Sequence, residues 1–579
     1  MDESTRSVPT HVGPDGTPYA NSLCSPVSNE VRAEACAPSP HVIPIIFSPG
    51  IMGSNLRAKQ DILDANGSRV VRRGARIWNV DSETAAAGWV FKGPQGRQLR
   101  LNKDVVEVDD QGKIAQGKSV RSTARGDVYY VDSGHTELSK VPVEVARERG
   151  WGTVSWFSYG PFLDWLQHML LHPQLENGRP NSVLAELLRL VGTTPPGATT
   201  RPSALDDVGV RKLLKFQFPV HAVGYNWLQS NLDSGRDLAE KIGSIIGGYD
   251  GKNGQHCSQA IVVTHSMGGL VTRAAALLHG GDQQILGVIS GVQPIDGAAA
   301  FYKRLAAGFS SEGSGIFAAI ANKALGATAR ETTPIIACNP GPLELAPNQL
   351  YNGGQPWLFV KNAQGRTIKA LPERRDPYTE IFRDTQSPWR AINPEWLNPA
   401  NLPVPEGATN LDSYFETVSK AEEYHALLGG RVHPKTYGHY GEDAQEKAWG
   451  TITWRVAAGR TYIPPSFYGS MPLPQWIEDK NGDVGDPSTW QFERTPSDSE
   501  RSLKSAHGEL RMTVQPPNDA GDGTVPATAS GAQLLHASGC QLICRQAGYD
   551  HQGSYNHNDV RLSVLDNIVR IVEPVVVMR

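Results

Sequence analysis

The chain has 579 residues, enough for about three or four domains or for one large enzyme domain with insertions. Its 39% hydrophobic content suits a packed core, and 59 Gly with 41 Pro are too few for a collagen-like or generally disordered chain. Lys and Arg number 55 against 59 Asp and Glu, so there is no basic excess to neutralise phosphates, which argues against nucleic-acid binding as a main role.

No run approaches 18 consecutive apolar residues, so no transmembrane helix is expected. The opening MDESTRSVPTHVGPDGTPYANS is polar and lacks the apolar stretch of a signal peptide, so an exported product would need another route. Six cysteines do not make a disulfide frame. Cys540 and Cys544 share a strand face about 13 Å apart, too far to bridge. Cys24 and Cys36 could pair, but nothing demands it. No His or Cys cluster has zinc-ligand spacing.

In chain order, residues 1–40 read as a loose leader. The run 41–48 (HVIPIIFS) is the first buried-strand candidate. Residues 57–150 are polar, with short β-type runs at 105–108 and 128–131, and suggest an inserted hairpin region. Residues 162–192 are helical in pattern, and 218–223 form a strand. A helix follows, with Leu238, Ile242, Ile245 and Ile246 on one face and Asp233 or Ser234 as N-cap. The run 260–264 (AIVVT) is a fully apolar strand that leads into HSMGG and the helical LVTRAAALL. The next strand is 285–289. This alternation implies a mostly parallel sheet covered on both faces. Residues 310–500, rich in Pro, Trp and Tyr, break the rhythm as a long insertion. Within it Ile316, Phe317, Ile320, Ala321 and Ala324 make an apolar helical stripe, read either as a lid or as a core-facing helix. Regular structure is expected to resume at 510–515, 540–546 and a last helix, 560–571.

Four motifs carry chemistry. A serine hydroxyl is a poor nucleophile without a base, an orienting acid and donors for the oxyanion. Thr264-His265-Ser266-Met267-Gly268 sets Ser266 between an apolar strand and a Gly-rich helix entry, although Thr264 stands where G-x-S-x-G has its first glycine. Ser158 and Ser311 also fit S-x-G but lack that setting, and an ordinary turn with a capping serine is the alternative. Ser48-Pro49-Gly50-Ile51-Met52-Gly53-Ser54 can turn sharply and expose N–H groups, so Ile51 and Met267 are the natural oxyanion pair. Gly521-Asp522-Gly523-Thr524-Val525-Pro526 places Asp522 on a tight loop, with Asp519 and Asp296 as rival acids. His551 lies 29 residues further on, between the last strand and the last helix. His557 and His536 compete with it.

The order Ser266, Asp522, His551 is that of the α/β-hydrolase fold. THSMGG, PGIMGS and GDGTVP together resemble the lecithin:cholesterol acyltransferase-like lipases and the related GPI inositol-deacylase-like group. RGWGTVSWFSYGPFLDWL, AVGYNWLQSN, GVQPIDGAAAFYKRLAAGF and DHQGSYNHNDV resemble bacterial lipase effectors of the type VI secretion system. The resemblance covers about 41–360 and 510–575.

The expectation is one α/β-hydrolase domain over 41–579, with insertions at 57–150 and 310–500. Its triad would be Ser266, His551 and Asp522, acting on lipid or phospholipid esters at a membrane surface. The chemistry requires no cofactor, and a structural calcium ion stays open. The resemblance implies export from a bacterial cytoplasm into the periplasm of target cells, with secretion machinery and a cognate immunity protein as partners. A housekeeping esterase, an acyltransferase or amidase on the same triad, and a non-catalytic binding protein are the rival readings.

Overall fold

The computed structural model describes residues 39–79, 88–89, 91–114, 141–171, 175–176, 179–180, 182–309, 312, 324–463, 473–497 and 499–576, together with four short strands ahead of residue 39. Cys24, Cys36, Ser311, the run 128–131 and the stripe residues Ile316, Phe317, Ile320 and Ala321 lie outside the described residues.

Six parallel strands form the central sheet. They are β1 (Ile45–Ser48), β2 (Val220–Ala222), β3 (Ala260–His265), β4 (Ile285–Gly291), β5 (Arg431–Gly441) and β6 (Ser538–Gln546), side by side in the order β2-β1-β3-β4-β5-β6. Strands buried on both faces read as continuous apolar runs, which is why 260–264 carries no polar alternation. Successive side chains still point to opposite faces. Ile46, Val262 and Val288 therefore join one core with helices α2 (Asn231–Tyr249) and α3 (Met267–Leu278). Phe47, Ile261, Val263 and Ile289 join the other with α1 (Trp156–Leu171) and α4 (Asn558–Val572).

Helix α2 starts earlier than its sequence suggested. Ser230 is the N-cap, its side chain accepting from the Leu232 N–H, and Asp233 falls in the first turn. There a carboxylate faces the positive end of the helix dipole without acting as the cap.

The stretch 310–500 is not a single excursion, because β5 lies within it and sits between β4 and β6. Around β5 the chain builds a second, seven-stranded sheet. Leu358–Asn362, Thr367–Leu371, Ile452–Tyr462, Gln475–Glu478, Gln491–Ser497, Glu500–Ser505 and Gly508–Val514 form it. The expected strand at 510–515 thus belongs to this sheet and not to the central one. Just after β1, strands Leu56–Ala58, Arg76–Trp78 and Val106–Val108 pair antiparallel.

All strands run the same way, but the order in which they are added reverses at β1: β2 lies on one side of it, and β3, β4, β5 and β6 follow on the other. In open α/β sheets the crevice at the carboxyl ends of such strands is where ligands bind. Ser48 of β1 pairs beside Thr264 of β3 at that edge.

Candidate active site

Ser266 sits on the turn from β3 into α3 with φ 52° and ψ −123°. A non-glycine residue there is strained by about 1–3 kcal/mol and persists only where its surroundings hold it. The Ser266 N–H donates to the Gly291 carbonyl at 2.8 Å, and the Ser266 carbonyl accepts from the Gly269 N–H at 2.9 Å. The helix can approach because position 268 is glycine: a Cβ there would lie 2.4 Å from the Ser48 carbonyl oxygen and 2.5 Å from that of Pro49. The Ser266 side chain makes no capping bond to α3.

The hydroxyl points at His551 instead. Ser266 Oγ lies 2.8 Å from His551 Nε2, and His551 Nδ1 lies 2.8 Å from Asp522 Oδ2. The carboxylate can only accept, so Nδ1 carries the proton toward Asp522 and Nε2 is left to accept from the serine. Asp522 Oδ1 accepts from the N–H groups of Thr524 at 3.0 Å and Val525 at 2.7 Å, and the Asp522 carbonyl accepts from the His551 N–H at 2.7 Å. These bonds fix both the carboxylate and the backbone of the histidine loop. Asp522 is 1% exposed and Ser266 4%, while the His551 side chain keeps 15%, so the imidazole is the most open of the three.

Each residue reaches the site from a different part of the sheet. Ser266 follows β3, and His551 follows β6 in the loop that leads to α4. Asp522 follows the short strand Asp519–Gly521, which pairs with Asp443–Ala448 just past β5. It packs against the end of β5, where a Cβ on Gly441 would come within 2.8 Å of the Asp522 Cβ.

The loop 48–54 closes over the serine. A Cβ at Gly50 would meet His265 Nδ1 at 2.7 Å and the Ser266 Cβ at 3.0 Å, so Ile51 begins beside the nucleophile. Tyr225 donates its hydroxyl to the Pro49 carbonyl at 2.9 Å, and Trp78 its indole N–H to the Met52 carbonyl at 2.8 Å. The Met267 N–H is the first of α3 and has no intrahelical acceptor. Neither it nor the Ile51 N–H has a partner among the described residues. Two free donors flanking a serine are what an oxyanion needs.

The rival residues lie elsewhere. Asp296 is buried beside Asn348 and Arg273, and burial raises its pKa. Asp519 accepts from Thr528. His557 is the N-cap of α4, its ring 5.5 Å from Tyr549. His536 ends a short helical turn, and Ser158 lies within α1. Two further imidazoles are buried, His265 with its ring 5.1 Å from that of His551 and His439 with its ring 5.4 Å from that of Tyr555. Desolvation pushes each down to about 3, so neither competes for a proton near neutrality. Sequence reading gave His265 and Tyr159 no role, for they contact each other only in the fold.

Among the described residues no three His, Cys, Asp or Glu side chains are grouped to hold a metal, and no helix is long and apolar enough to cross a membrane. The thiols of Cys257, Cys338, Cys540 and Cys544 are free of disulfides.

No protein-family model matches the chain, and no curated protein does. Among solved structures the chain is similar to the crystal structure of the Tle4–Tli4 complex, with a TM-score of 0.67 and 28% identity over 93% of this chain and 99% of that one. That likeness supports the resemblance to type VI secretion lipase effectors and does not bear on the lecithin:cholesterol acyltransferase-like one. The mostly parallel sheet, with its helices and insertions, is the α/β-hydrolase fold.

Proposed function

We propose that the chain is a serine carboxylic-ester hydrolase acting on lipid esters, a phospholipase delivered into neighbouring bacteria as a type VI secretion effector. The observation that carries the chemistry is the unbroken hydrogen-bonded run from Ser266 through His551 to Asp522 at the sheet's switch point. In this reading Ser266 Oγ attacks the ester carbonyl carbon while His551 Nε2 takes its proton. Asp522 holds the imidazolium, and the Ile51 and Met267 N–H groups bind the oxyanion. Collapse of the tetrahedral intermediate breaks the ester C–O bond, and the departing alkoxide takes the proton from Nε2. Water, deprotonated by His551, then attacks the acyl-enzyme, and as the acid leaves, His551 Nε2 returns that proton to Ser266 Oγ.

The effector half of the reading rests on the motifs shared with type VI lipase effectors and on the likeness to Tle4, which is met by Tli4 in a complex. A cognate protein that covers the Ser266 cleft is the corresponding partner for this chain. The periplasm of a target cell is the corresponding place of action.

The test is a phospholipid panel read by mass spectrometry, wild type beside Ser266→Ala, with and without an acceptor alcohol. Free fatty acid that depends on Ser266 is expected. Acyl transfer to the alcohol in preference to water would make the protein a transferase, and no serine-dependent product would overturn the enzymatic reading. Expression in a susceptible bacterium should be toxic with an added periplasmic signal and harmless as Ser266→Ala. Harmless expression of active enzyme in both cytoplasm and periplasm would remove the effector half.

A further inference from the structure

We propose that Tyr159 and His265 form a positioning relay that ties the loop 48–54 to the His551 loop, so that oxyanion donors and base are held in register as one unit. The inference rests on the triad reading above.

The chain of contacts is continuous. The Gly50 N–H donates to the Tyr159 hydroxyl oxygen at 3.1 Å. Tyr159 Oη lies 3.0 Å from His265 Nδ1, and His265 Nε2 lies 2.9 Å from the His551 carbonyl oxygen. A carbonyl oxygen only accepts, so Nε2 carries the proton. Nδ1 must then accept, and the Tyr159 hydroxyl donates to it while receiving from Gly50. Every donor direction is thereby fixed from one end to the other.

The surroundings keep it so. Burial pushes His265 down to about 3 and the Tyr159 phenol up to about 12, so the neutral imidazole and the intact hydroxyl persist across the working pH range. The loop 48–54 is shaped around these two rings. A Cβ on Gly50 would sit 2.7 Å from His265 Nδ1, and one on Gly53 would sit 2.8 Å from the Tyr159 hydroxyl. Ile51, the expected oxyanion donor, is the residue after the Gly50 that Tyr159 holds. His551, the expected base, is the residue whose own carbonyl His265 holds. Neither relay residue is hydrogen-bonded to the Ser266 hydroxyl, so the pair acts through backbone position.

The test measures kcat and KM for ester hydrolysis by Tyr159→Phe, His265→Leu, the double variant and His265→Gln. Each rate is divided by the active sites titrated with an organophosphonate. That correction removes molecules that failed to fold. Each of the first two should lose roughly 10-fold or more in kcat per site, because small misplacements of reacting groups cost rate, with KM within about twofold. The double variant should be no slower than the slower single, since both cut one chain. His265→Gln restores a donor and an acceptor and should stand closer to wild type than His265→Leu. Wild-type kcat per site in either single, multiplicative losses in the double, or no recovery in His265→Gln would overturn the relay. Ser266→Ala run alongside separates the two ideas. If it keeps activity, the triad reading fails. If it is dead while the relay variants match wild type, only the relay fails.

Discussion

Ser266 Oγ and His551 Nε2 stand 2.8 Å apart although 285 positions separate them in the chain. The contact exists because β3 and β6 are both parallel strands of one sheet, so the segments that follow them emerge at the same edge. Ser266→Ala and His551→Ala should therefore each lower kcat by roughly 10³-fold or more, since such residues act as a unit. His557→Ala should leave turnover near normal, because its ring packs on Tyr549. Steady-state hydrolysis of a soluble p-nitrophenyl ester reads both, and loss in His557→Ala with turnover kept in His551→Ala would move the base.

The acid should be equally specific. Asp522→Asn keeps the shape but puts an amide where His551 Nδ1–H and the Thr524 and Val525 N–H groups need acceptors. A fall in kcat of roughly 10³- to 10⁴-fold is expected, as for a mis-set imidazole tautomer. Asp296→Asn and Asp519→Asn should stay within about tenfold of wild type in the same assay, since neither meets the imidazole. A larger loss at Asp296 than at Asp522 would reassign the acid.

What the sequence disclosed follows from how each residue is held. Strand β3 was legible because burial on both faces demands an unbroken apolar run. Asp522 was legible because its glycine neighbours mark a tight loop. Strand β5 was not: RVHPKTYGHYG carries buried His433, Thr436 and His439, and hydropathy does not register polar residues that are buried. Thr436, for instance, donates its hydroxyl to the His433 carbonyl. The second sheet was hidden for a related reason. Ile452–Tyr462 alternates inward Ile452, Trp454 and Val456 with half-exposed residues over a few positions only, inside a stretch dominated by Pro and Tyr. The Tyr159–His265 contact spans 106 positions and has no spacing rule to reveal it.

Two glycine substitutions should move stability in opposite directions. Gly268→Ala forces a Cβ to 2.4 Å from the Ser48 carbonyl oxygen, and such overpacking costs about 1–3 kcal/mol. Gly247 lies in α2 with no atom within 4 Å of an added Cβ, so Gly247→Ala should gain about 0.5–1 kcal/mol from backbone entropy. Urea midpoints at one pH measure both. A stabilised Gly268→Ala would contradict the close packing of α3 on the loop 48–54.

Glu344 should make stability depend on pH. It is fully buried, with Ser230 donating its hydroxyl to Oε1 at 2.6 Å and Asn231 its N–H to Oε2 at 2.7 Å. Burial outweighs these bonds and pushes its pKa from the ordinary 4.5 up to about 8. The sign follows from linkage. Below about 4.5 the carboxyl is protonated in both folded and unfolded chains. As pH rises toward about 8 the unfolded chain releases its proton while the folded chain keeps it, so the folded state loses ground. Above about 8 both are ionised and the loss is complete. Glu344→Gln is neutral throughout and can still accept from Asn231 and donate to Ser230. Its urea midpoint should match wild type near pH 4.5, exceed it increasingly as pH approaches about 8, and then keep a constant lead. A difference between the two proteins that stays flat from pH 4.5 to 8 would mean that the buried carboxyl ionises as easily as in water.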